Sequence, residues 1–187
     1  MGRIEDLAAT YRSHIAAPWQ RNLAGEQKTI FVVYPKSDER KLRARIPLFR
    51  LHTVETGHNW SRVDISDAFA DWMSGLDYRS TFFERPSRLS MLFSERFVPF
   101  VAQRVRDSLA HDNVGEDSVV ALIGAGCLYG FTHLSDVIAA VKNDVRGRLL
   151  VFFPGEYENS NYRLLDARDG WNYLAIPITY RAGVDDK

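Results

Sequence analysis

The fold is decided by residues 147–178, GRLLVFFPGEYENSNYRLLDARDGWNYLAIPI. Two apolar runs in this stretch, residues 149–153 and 173–178, predict buried strands, because short apolar runs bounded by turn residues are typical of covered sheets. The segment between them, residues 154–170, shows no strong periodicity and predicts a long loop. Since α/β proteins place their binding surfaces in loops at strand ends, we expect function to reside in this segment.

The rest of the chain extends the same pattern. Further strands are predicted at Thr29–Tyr34, residues 60–65 and Ser118–Ile123, with helical periodicity between them. Strands that alternate with helices predict a largely parallel sheet covered on both faces. We therefore expect a single three-layer α/β domain over residues 1–187, with about five strands and a P-loop-like or Rossmann-like arrangement. A helical insertion is predicted around residues 66–111.

Helix boundaries follow from capping residues and prolines. Residues 4–15 predict an amphipathic first helix, and Ser37 is expected to cap the second helix. Pro47 is expected to end or kink that second helix, and Pro99 to kink a long helix that begins after Pro86.

Composition restricts the classes of function. Lys plus Arg and Asp plus Glu balance at 24 each, so no global positive field indicates nucleic acid. No apolar run approaches the roughly 20 residues of a membrane helix. Glu5 and Asp6 stand where a signal peptide would carry its apolar segment, and the single cysteine fits a reducing compartment. We expect a cytoplasmic protein without a membrane partner.

A glycine-rich turn, residues 124–130, joins the strand Ser118–Ile123 to a helix and is a candidate ligand site. Gly124, Gly126 and Gly130 follow the pattern G-x-G-x-x-x-G, which is not the dinucleotide fingerprint, and no Walker A lysine motif occurs in the chain. Glycines there also permit a tight turn and close helix–strand packing. Packing is the favoured interpretation, and ligand binding stays open as the alternative.

Neither the cysteine nor the histidines form a recognisable catalytic or metal-binding pattern. Cys127 is flanked by Ala125 and Tyr129 where a nucleophile elbow has glycines, so we expect a small buried residue. The five histidines show no metal-ligand spacing. His133 alone is suggestive, because it lies just past the glycine turn. We predict no catalytic triad, metal or cofactor.

The polar residues of the 154–170 segment are the strongest candidates for contact with a partner. Paired carboxylates could hold a divalent cation or act as acid and base, or they could form internal salt bridges that stiffen the segment. Because the charges are mixed, we favour an ordered binding surface. Its predicted members are Glu156, Tyr157, Glu158, Asn159, Asn161, Tyr162, Arg163, Asp166, Arg168 and Asp169.

A basic cluster marks the second helix. Its members are Arg40, Lys41, Arg43, Arg45 and Arg50. Such a cluster can contact nucleic-acid phosphates. The acidic residues beside it and the neutral overall charge favour a solvated helix face instead.

Two motifs resemble the BrxB family of BREX (bacteriophage exclusion) phage-defence systems. They are FFPGEYENSNYRLLDARDGWNYLAIPI at residues 152–178 and APWQRNLAGEQKTIFVVYPKSDERKLRARIPLF at residues 17–49. Where the family motif has Glu-Asn-Asn-Asn-Tyr, this chain has Ser160 in the central position. The resemblance covers essentially the whole chain.

The resemblance implies a role but no catalytic reaction. Members of the family work beside an ATPase, an adenine methyltransferase and a PglZ-like protein, and associate with the last of these. We therefore expect a non-catalytic assembly subunit that binds a PglZ-like partner. The alternative is a nucleotide- or metal-dependent enzyme with its site between the 124–130 turn and the 154–170 segment. Direct DNA binding through the basic cluster is a third hypothesis.

Overall fold

The computed structural model describes residues 2–167 and 170–180. Its strands are β1 (Thr29–Tyr34), β2 (Asn59–Asp64), β3 (Ser118–Ile123), β4 (Arg148–Glu158), β5 (Asn161–Leu164) and β6 (Ile176–Ile178). Its α-helices are α1 (Arg3–Ala16), α2 (Glu39–Glu55), α3 (Ala68–Ser74), α4 (Arg79–Glu84), α5 (Val98–Leu109) and α6 (Leu134–Val141).

Five strands form a parallel sheet in the order β2-β3-β4-β1-β6. The sixth strand, β5, is antiparallel to the far end of β4. The prediction of an α/β fold with a largely parallel sheet is confirmed. Parallel neighbours need crossover connections, which here are the helical segments between the strands.

Helices cover both faces of the sheet because successive strand residues point to opposite sides. In β1, Ile30 and Val32 pack with α1 and α2, whereas Phe31 and Val33 pack with α3, α5 and α6. Every residue of β1 and β3 is buried, as expected for central strands covered on two sides. The three-layer prediction is therefore confirmed as well.

Two helix features in the first half of the chain differ from those predicted. Ser37 lies in a short 3₁₀ turn rather than capping α2, which begins at Glu39 after Asp38. Pro47 does not end α2, which continues to Glu55. The buried residues of α2 lie on both sides of the proline, and this packing holds the helix together although one backbone hydrogen bond is lost.

The long helix predicted after Pro86 is also interrupted. Short 3₁₀ turns lead into a π-helical turn at Phe93–Phe97, and α5 then begins at Val98. Pro99 thus lies in the first turn of α5, a position that suits proline because its fixed φ is compatible with the start of a helix. Because α5 packs on the sheet, part of the predicted helical insertion belongs to one of the covering layers.

The strand limits around the 154–170 segment differ from those predicted. β4 runs on to Glu158, and β6 spans only Ile176–Ile178 rather than starting at Tyr173. Tyr173 packs instead on Phe31 with parallel rings 5.8 Å apart.

Among the helices of the described residues, none combines the length and apolarity needed to cross a bilayer.

Candidate functional site

A crevice lies at the carboxyl ends of β1 to β4, the edge where open α/β sheets place their ligands. The chain passes from β1 to α2 on one face and from β3 to α6 on the other, so the connections diverge at this edge. The crevice has a volume of about 360 Å³. It is lined by Lys36, Glu39, Arg43, Ser66, Gly124, Gly126, Cys127, Pro154 and Leu165. The glycine turn and the base of the 154–170 segment therefore border one crevice.

An ion-pair network centred on Arg43 crosses this carboxyl-end crevice. The Arg43 Nε donates to Glu39 Oε1 at 2.7 Å, and Nη2 donates to Ser66 Oγ at 2.8 Å. Asp64 Oδ2 lies 3.4 Å from Arg43 Nη1. The backbone N–H of Ser66 donates to the other oxygen of Asp64 at 2.9 Å. The guanidinium is thus already held by two carboxylates of the same chain.

The network shifts the pKa values of Arg43 and Asp64 toward their charged forms. Burial by itself lowers the pKa of Arg43, but the hydrogen bond to Glu39 and the nearby carboxylate charges outweigh it and raise that pKa. Burial likewise raises the pKa of Asp64, yet hydrogen bonds from Ser66 and the charge of Arg43 bring that pKa below its ordinary value. The charges of the crevice therefore stabilise one another.

The second cation of the crevice is also paired. Lys36 forms an ion pair with Asp166, which follows β5. The buried hydroxyl of Tyr34 donates to Glu39, and burial, followed by that hydrogen bond, raises the pKa of Tyr34. Because each cation has an internal carboxylate, a phosphate entering here would meet negative charge as well as positive.

The glycine turn has a structural explanation at two of its three positions. Gly124 has φ +87° and Gly130 has φ +80°, conformations that favour glycine. A Cβ on Gly124 would clash with Ser66 and lie 2.9 Å from Asp64 Oδ1. At Gly126 a Cβ would make only ordinary van der Waals contacts. These contacts favour the packing interpretation of the turn over a phosphate cradle.

Cys127 is half-buried at the same crevice and is not activated. Its Sγ–H donates to the backbone carbonyl of Ile65 at 2.9 Å. Burial, with the charge of Asp64 as a smaller contribution, raises the pKa of Cys127 to about 11. Since the thiolate is the nucleophilic form, this cysteine is poorly suited to covalent catalysis at neutral pH.

The prediction of a long loop over residues 154–170 is wrong, because much of the segment forms a β-hairpin. β4 continues through Glu158, a two-residue turn follows, and β5 begins at Asn161. The turn residues Asn159 and Ser160 have φ values of +50° and +63°. Two successive positive φ angles characterise the type I′ hairpin turn, which matches the twist of the paired strands.

Aromatic rings anchor the inner face of this hairpin. Tyr162 is fully buried, its ring lies edge-on to Phe31 at 4.7 Å, and its hydroxyl donates to the Ala175 carbonyl at 2.9 Å. The Tyr162 backbone also pairs with Trp171. Tyr157 packs half-buried beside it. Tyr162 therefore holds the hairpin on the core and offers no surface to a partner.

The outer face of the hairpin is polar and exposed. It carries five of the residues predicted to contact a partner: Glu156, Glu158, Asn159, Asn161 and Arg163. Glu156 and Arg163 stand opposite each other across the two strands, with 3.5 Å between Oε2 and Nη1. Asp166 is engaged by the crevice lysine. Arg168 and Asp169 lie outside the described residues.

A second concave surface, the hairpin groove, separates the hairpin from the helical stretch before α5, residues 78–97. Its volume is about 440 Å³. It is lined by Phe93 and Ser94 of the helical stretch, Tyr129 and Gly130 of the glycine turn, His133 and Asp136 near the start of α6, and Leu164 and Trp171 at the hairpin. The groove thus contains the suggestive histidine and the last glycine of the turn, away from the crevice.

Most of the basic cluster on α2 is neutralised by acidic neighbours. Three ion pairs do this: Lys41 with Asp38 at 3.1 Å, Arg43 with Glu39 at 2.7 Å and Arg45 with Glu5 at 2.7 Å.

Within residues 2–167 and 170–180, no three His, Cys, Asp or Glu side chains are placed to share a metal ion.

Sequence reasoning missed the network around Arg43. Asp64 and Ser66 lie at the carboxyl end of β2, and polar residues in that position are the sequence signal that indicates such a network.

Comparison of the chain with protein-family models, curated proteins and solved structures gave no match. The resemblance to the BrxB family consequently rests on the two quoted motifs alone.

Proposed function

We propose that this chain is a non-catalytic assembly subunit of a BREX-type phage-defence system, and that it binds a PglZ-like protein in the cytoplasm. The system and the partner come from the motif resemblance. The observation that carries the binding role is the hairpin, whose inner face is anchored by buried aromatic rings and whose outer face is polar and exposed. An anchored surface loses little conformational entropy when a partner binds.

Exposed apolar side chains in the helical stretch add a second argument for a protein partner. Tyr78, Phe83 and Met91 have exposed fractions of 80%, 71% and 75%. The stretch continues to Phe93 and Ser94, which line the hairpin groove opposite the hairpin. Large apolar groups beside a polar rim are the usual composition of a protein-binding surface.

The carboxyl-end crevice argues against the enzyme alternative. Both of its cations are bound by internal carboxylates, and its cysteine has a raised pKa. A thermal-shift screen with nucleotides and divalent cations tests this alternative, since a ligand specific for the native state raises Tm. A shift that Arg43→Met abolishes would favour an enzyme or nucleotide-binding role over the assembly role.

The other components of the system are secondary candidates as partners. The ATPase and the methyltransferase enter only through the resemblance. Direct DNA binding has little support, because ion pairs neutralise most of the basic cluster on α2. Salt-dependent retention of duplex DNA would be the sign of such a role.

The binding proposal is tested by co-expression with the neighbouring PglZ-like protein and size-exclusion chromatography. We expect one co-eluting complex. Arg163→Glu should weaken it by about 30-fold or more, because loss of one partner in an interfacial charge pair costs about 2–5 kcal/mol. Tm should stay close to that of the wild type, since the exposed Arg163 makes a single weak ion pair.

Arg12→Glu is the matched control. Arg12 is similarly exposed and also forms one 3.5 Å ion pair, with Glu55, but it lies on α1 away from the hairpin. It should leave the complex intact. Separate peaks for the two wild-type proteins at micromolar concentration, across several salt conditions, would contradict the proposal. A large fall in Tm for Arg163→Glu with unchanged affinity would show that the hairpin charges are structural.

A further inference from the structure

A cavity of about 480 Å³ lies at the amino ends of the strands, on the opposite edge of the sheet from the crevice. We call it the amino-end cavity. Its charged lining residues are Arg21, Lys28, Arg146 and Arg148 on the positive side, and Glu116 and Asp117 on the negative side. Positive charge is therefore in excess, in contrast to the carboxyl-end crevice.

Arg148, the first residue of β4, is the most unusual member of this lining. It is only 6% exposed, yet among the described residues no carboxylate lies within 4.0 Å of its guanidinium. Its Nη1 donates to the Gly147 carbonyl at 3.1 Å, and Nη2 donates to the Gln20 carbonyl at 3.3 Å. Two of the five guanidinium N–H groups are thus used, and the charge itself is not balanced.

Two other cations of the lining also donate to backbone carbonyls. Lys28 donates through Nζ to the Val145 carbonyl at 3.3 Å, and Arg146 donates through Nη2 to the Leu109 carbonyl at 3.1 Å. Neither has a carboxylate partner within the described part of the chain. Arg21 differs, because it pairs with Glu116 at 2.9 Å. Three of the four cations are therefore held by carbonyl oxygens alone.

The aromatic surroundings of Arg148 hold its guanidinium in place, and its charge acts on a neighbouring histidine. The Cζ of Arg148 lies 4.6 Å from the ring centroid of Trp19, and Trp19 stacks on His58 at 3.8 Å. Burial, and after it the charge of Arg148, lowers the pKa of His14. Burial also lowers the pKa of Arg148 itself. An anion in this cavity would relieve the cost of the buried charge.

We propose that the amino-end cavity binds the phosphate group of a small phosphorylated molecule, with Arg148, Lys28 and Arg146 as its cationic contacts. A guanidinium offers a planar fork of donors that matches phosphate oxygens, and charge-assisted bonds of this kind are the strong ones. A phosphate monoester carries close to two negative charges at neutral pH, which suits the excess positive charge of the lining. The cavity volume of about 480 Å³ exceeds that of a phosphate group, and Trp19 is part of its lining.

Inorganic phosphate and adenosine monophosphate serve as probes, with chloride at equal ionic strength as the reference. Phosphate should raise Tm, because it binds the native state. In calorimetric titrations, Arg148→Met and Lys28→Met should each weaken phosphate binding by about tenfold or more. Lys36→Met, which removes a cation of the carboxyl-end crevice, is the matched control and should leave phosphate affinity unchanged. Lys28 is only partly buried, so its variant keeps the test valid if Arg148→Met does not fold.

The two probes distinguish the sources of the phosphate group. Equal affinities would assign the site to free phosphate, and tighter binding of the nucleotide would assign it to a phosphorylated molecule that also contacts Trp19; both support the phosphate site. Absence of any Tm shift or titration heat at millimolar phosphate would overturn the proposal. Loss of binding in Lys36→Met with retention in Lys28→Met would also overturn it, because the ligand would then occupy the opposite edge.

Discussion

The two ends of the parallel sheet differ in whether their cations are paired with carboxylates. At the carboxyl end, Lys36 is paired with Asp166 and Arg43 with Glu39 and Asp64. At the amino end, the cations other than Arg21 donate only to backbone carbonyls, and the nearly buried Arg148 has no carboxylate among the described residues. At Arg43 the carboxylate partners outweigh burial and raise the pKa. At Arg148, burial lowers the pKa.

Strand order and charge pairing therefore point to different edges of the sheet as the place where a ligand binds. The strand order locates a crevice at the carboxyl ends, where α/β proteins ordinarily bind ligands. The ion pairs then show that the cations of this crevice are already neutralised by carboxylates of the same chain. At the amino ends the fold predicts nothing, yet unbalanced cations remain. A ligand is expected where the chain leaves charge uncompensated, and a binding partner is expected at the hairpin, whose base borders the carboxyl-end crevice.

The largest expected effect comes from removing the anchor of that hairpin. Tyr162→Ala should lower the free energy of unfolding by about 3–5 kcal/mol, because deletion of a buried aromatic ring leaves a cavity in the core. Tyr162 packs on Phe31 and Phe153 and is fully buried. Urea unfolding monitored by circular dichroism measures the change.

Two further variants sharpen the same test. Tyr162→Phe keeps the ring but removes the donor to the Ala175 carbonyl, so it should cost about 1 kcal/mol. Glu158→Ala at the exposed tip should stay within about 0.5 kcal/mol of the wild type. If Tyr162→Ala cost no more than Glu158→Ala, the hairpin would not be anchored on the core by Tyr162.

The sheet could be predicted from the sequence because its signal is local. Thr29–Tyr34 and Ser118–Ile123 are short, β-branched apolar runs, and the structure has strands at those residues. The hairpin was missed although its strands alternate, with Tyr157 and Tyr162 turned inward and Glu156 and Arg163 turned outward. Its turn is Asn-Ser rather than the familiar Asn-Gly, so the left-handed pair of residues was not recognised.

The side-chain networks could not be predicted in the same way because their members are distant in sequence. Arg43 was interpreted as one of a basic cluster, whereas its partners Asp64 and Ser66 come from the end of another strand. Arg148 attracted no attention, since a single arginine before an apolar run resembles an ordinary surface residue. Its burial and its contact with Trp19 depend on residues distant in the sequence.

The second prediction concerns access to the carboxyl-end crevice. Cys127 should react with iodoacetamide at pH 8 at least about tenfold more slowly in the folded protein than in the urea-unfolded chain. The reason is that burial raises its pKa to about 11, so a smaller fraction of the thiol is ionised than in the unfolded chain. Mass spectrometry of timed samples gives both rates. Equal rates would mean that the crevice is open and its thiol activated, which would revive a catalytic role.

The smallest expected effect is the pH dependence of the Arg43 network. The folded pKa of Asp64 lies below its ordinary value of 3.8, so the unfolded chain binds protons more readily at this position. Its stabilising contribution is therefore present above about pH 5 and is lost as pH falls through the folded pKa. Asp64→Asn should be less stable than the wild type by under about 1 kcal/mol at pH 7, since the ion pair is partly exposed.

The pH at which this difference disappears distinguishes the two ends of the sheet. For Asp64→Asn the gap in unfolding free energy should close as the pH is lowered below 3.8, because the wild-type carboxyl then becomes neutral too. Arg148→Met removes a group that does not titrate in this range, so its gap should not close below pH 3.8. A change in that gap at higher pH would come from His14, whose pKa is lowered by burial and by the charge of Arg148. Urea unfolding from pH 3 to pH 7 measures both. A constant gap for Asp64→Asn would mean that the carboxylate charge of Asp64, through Ser66 or through Arg43, does not contribute to stability.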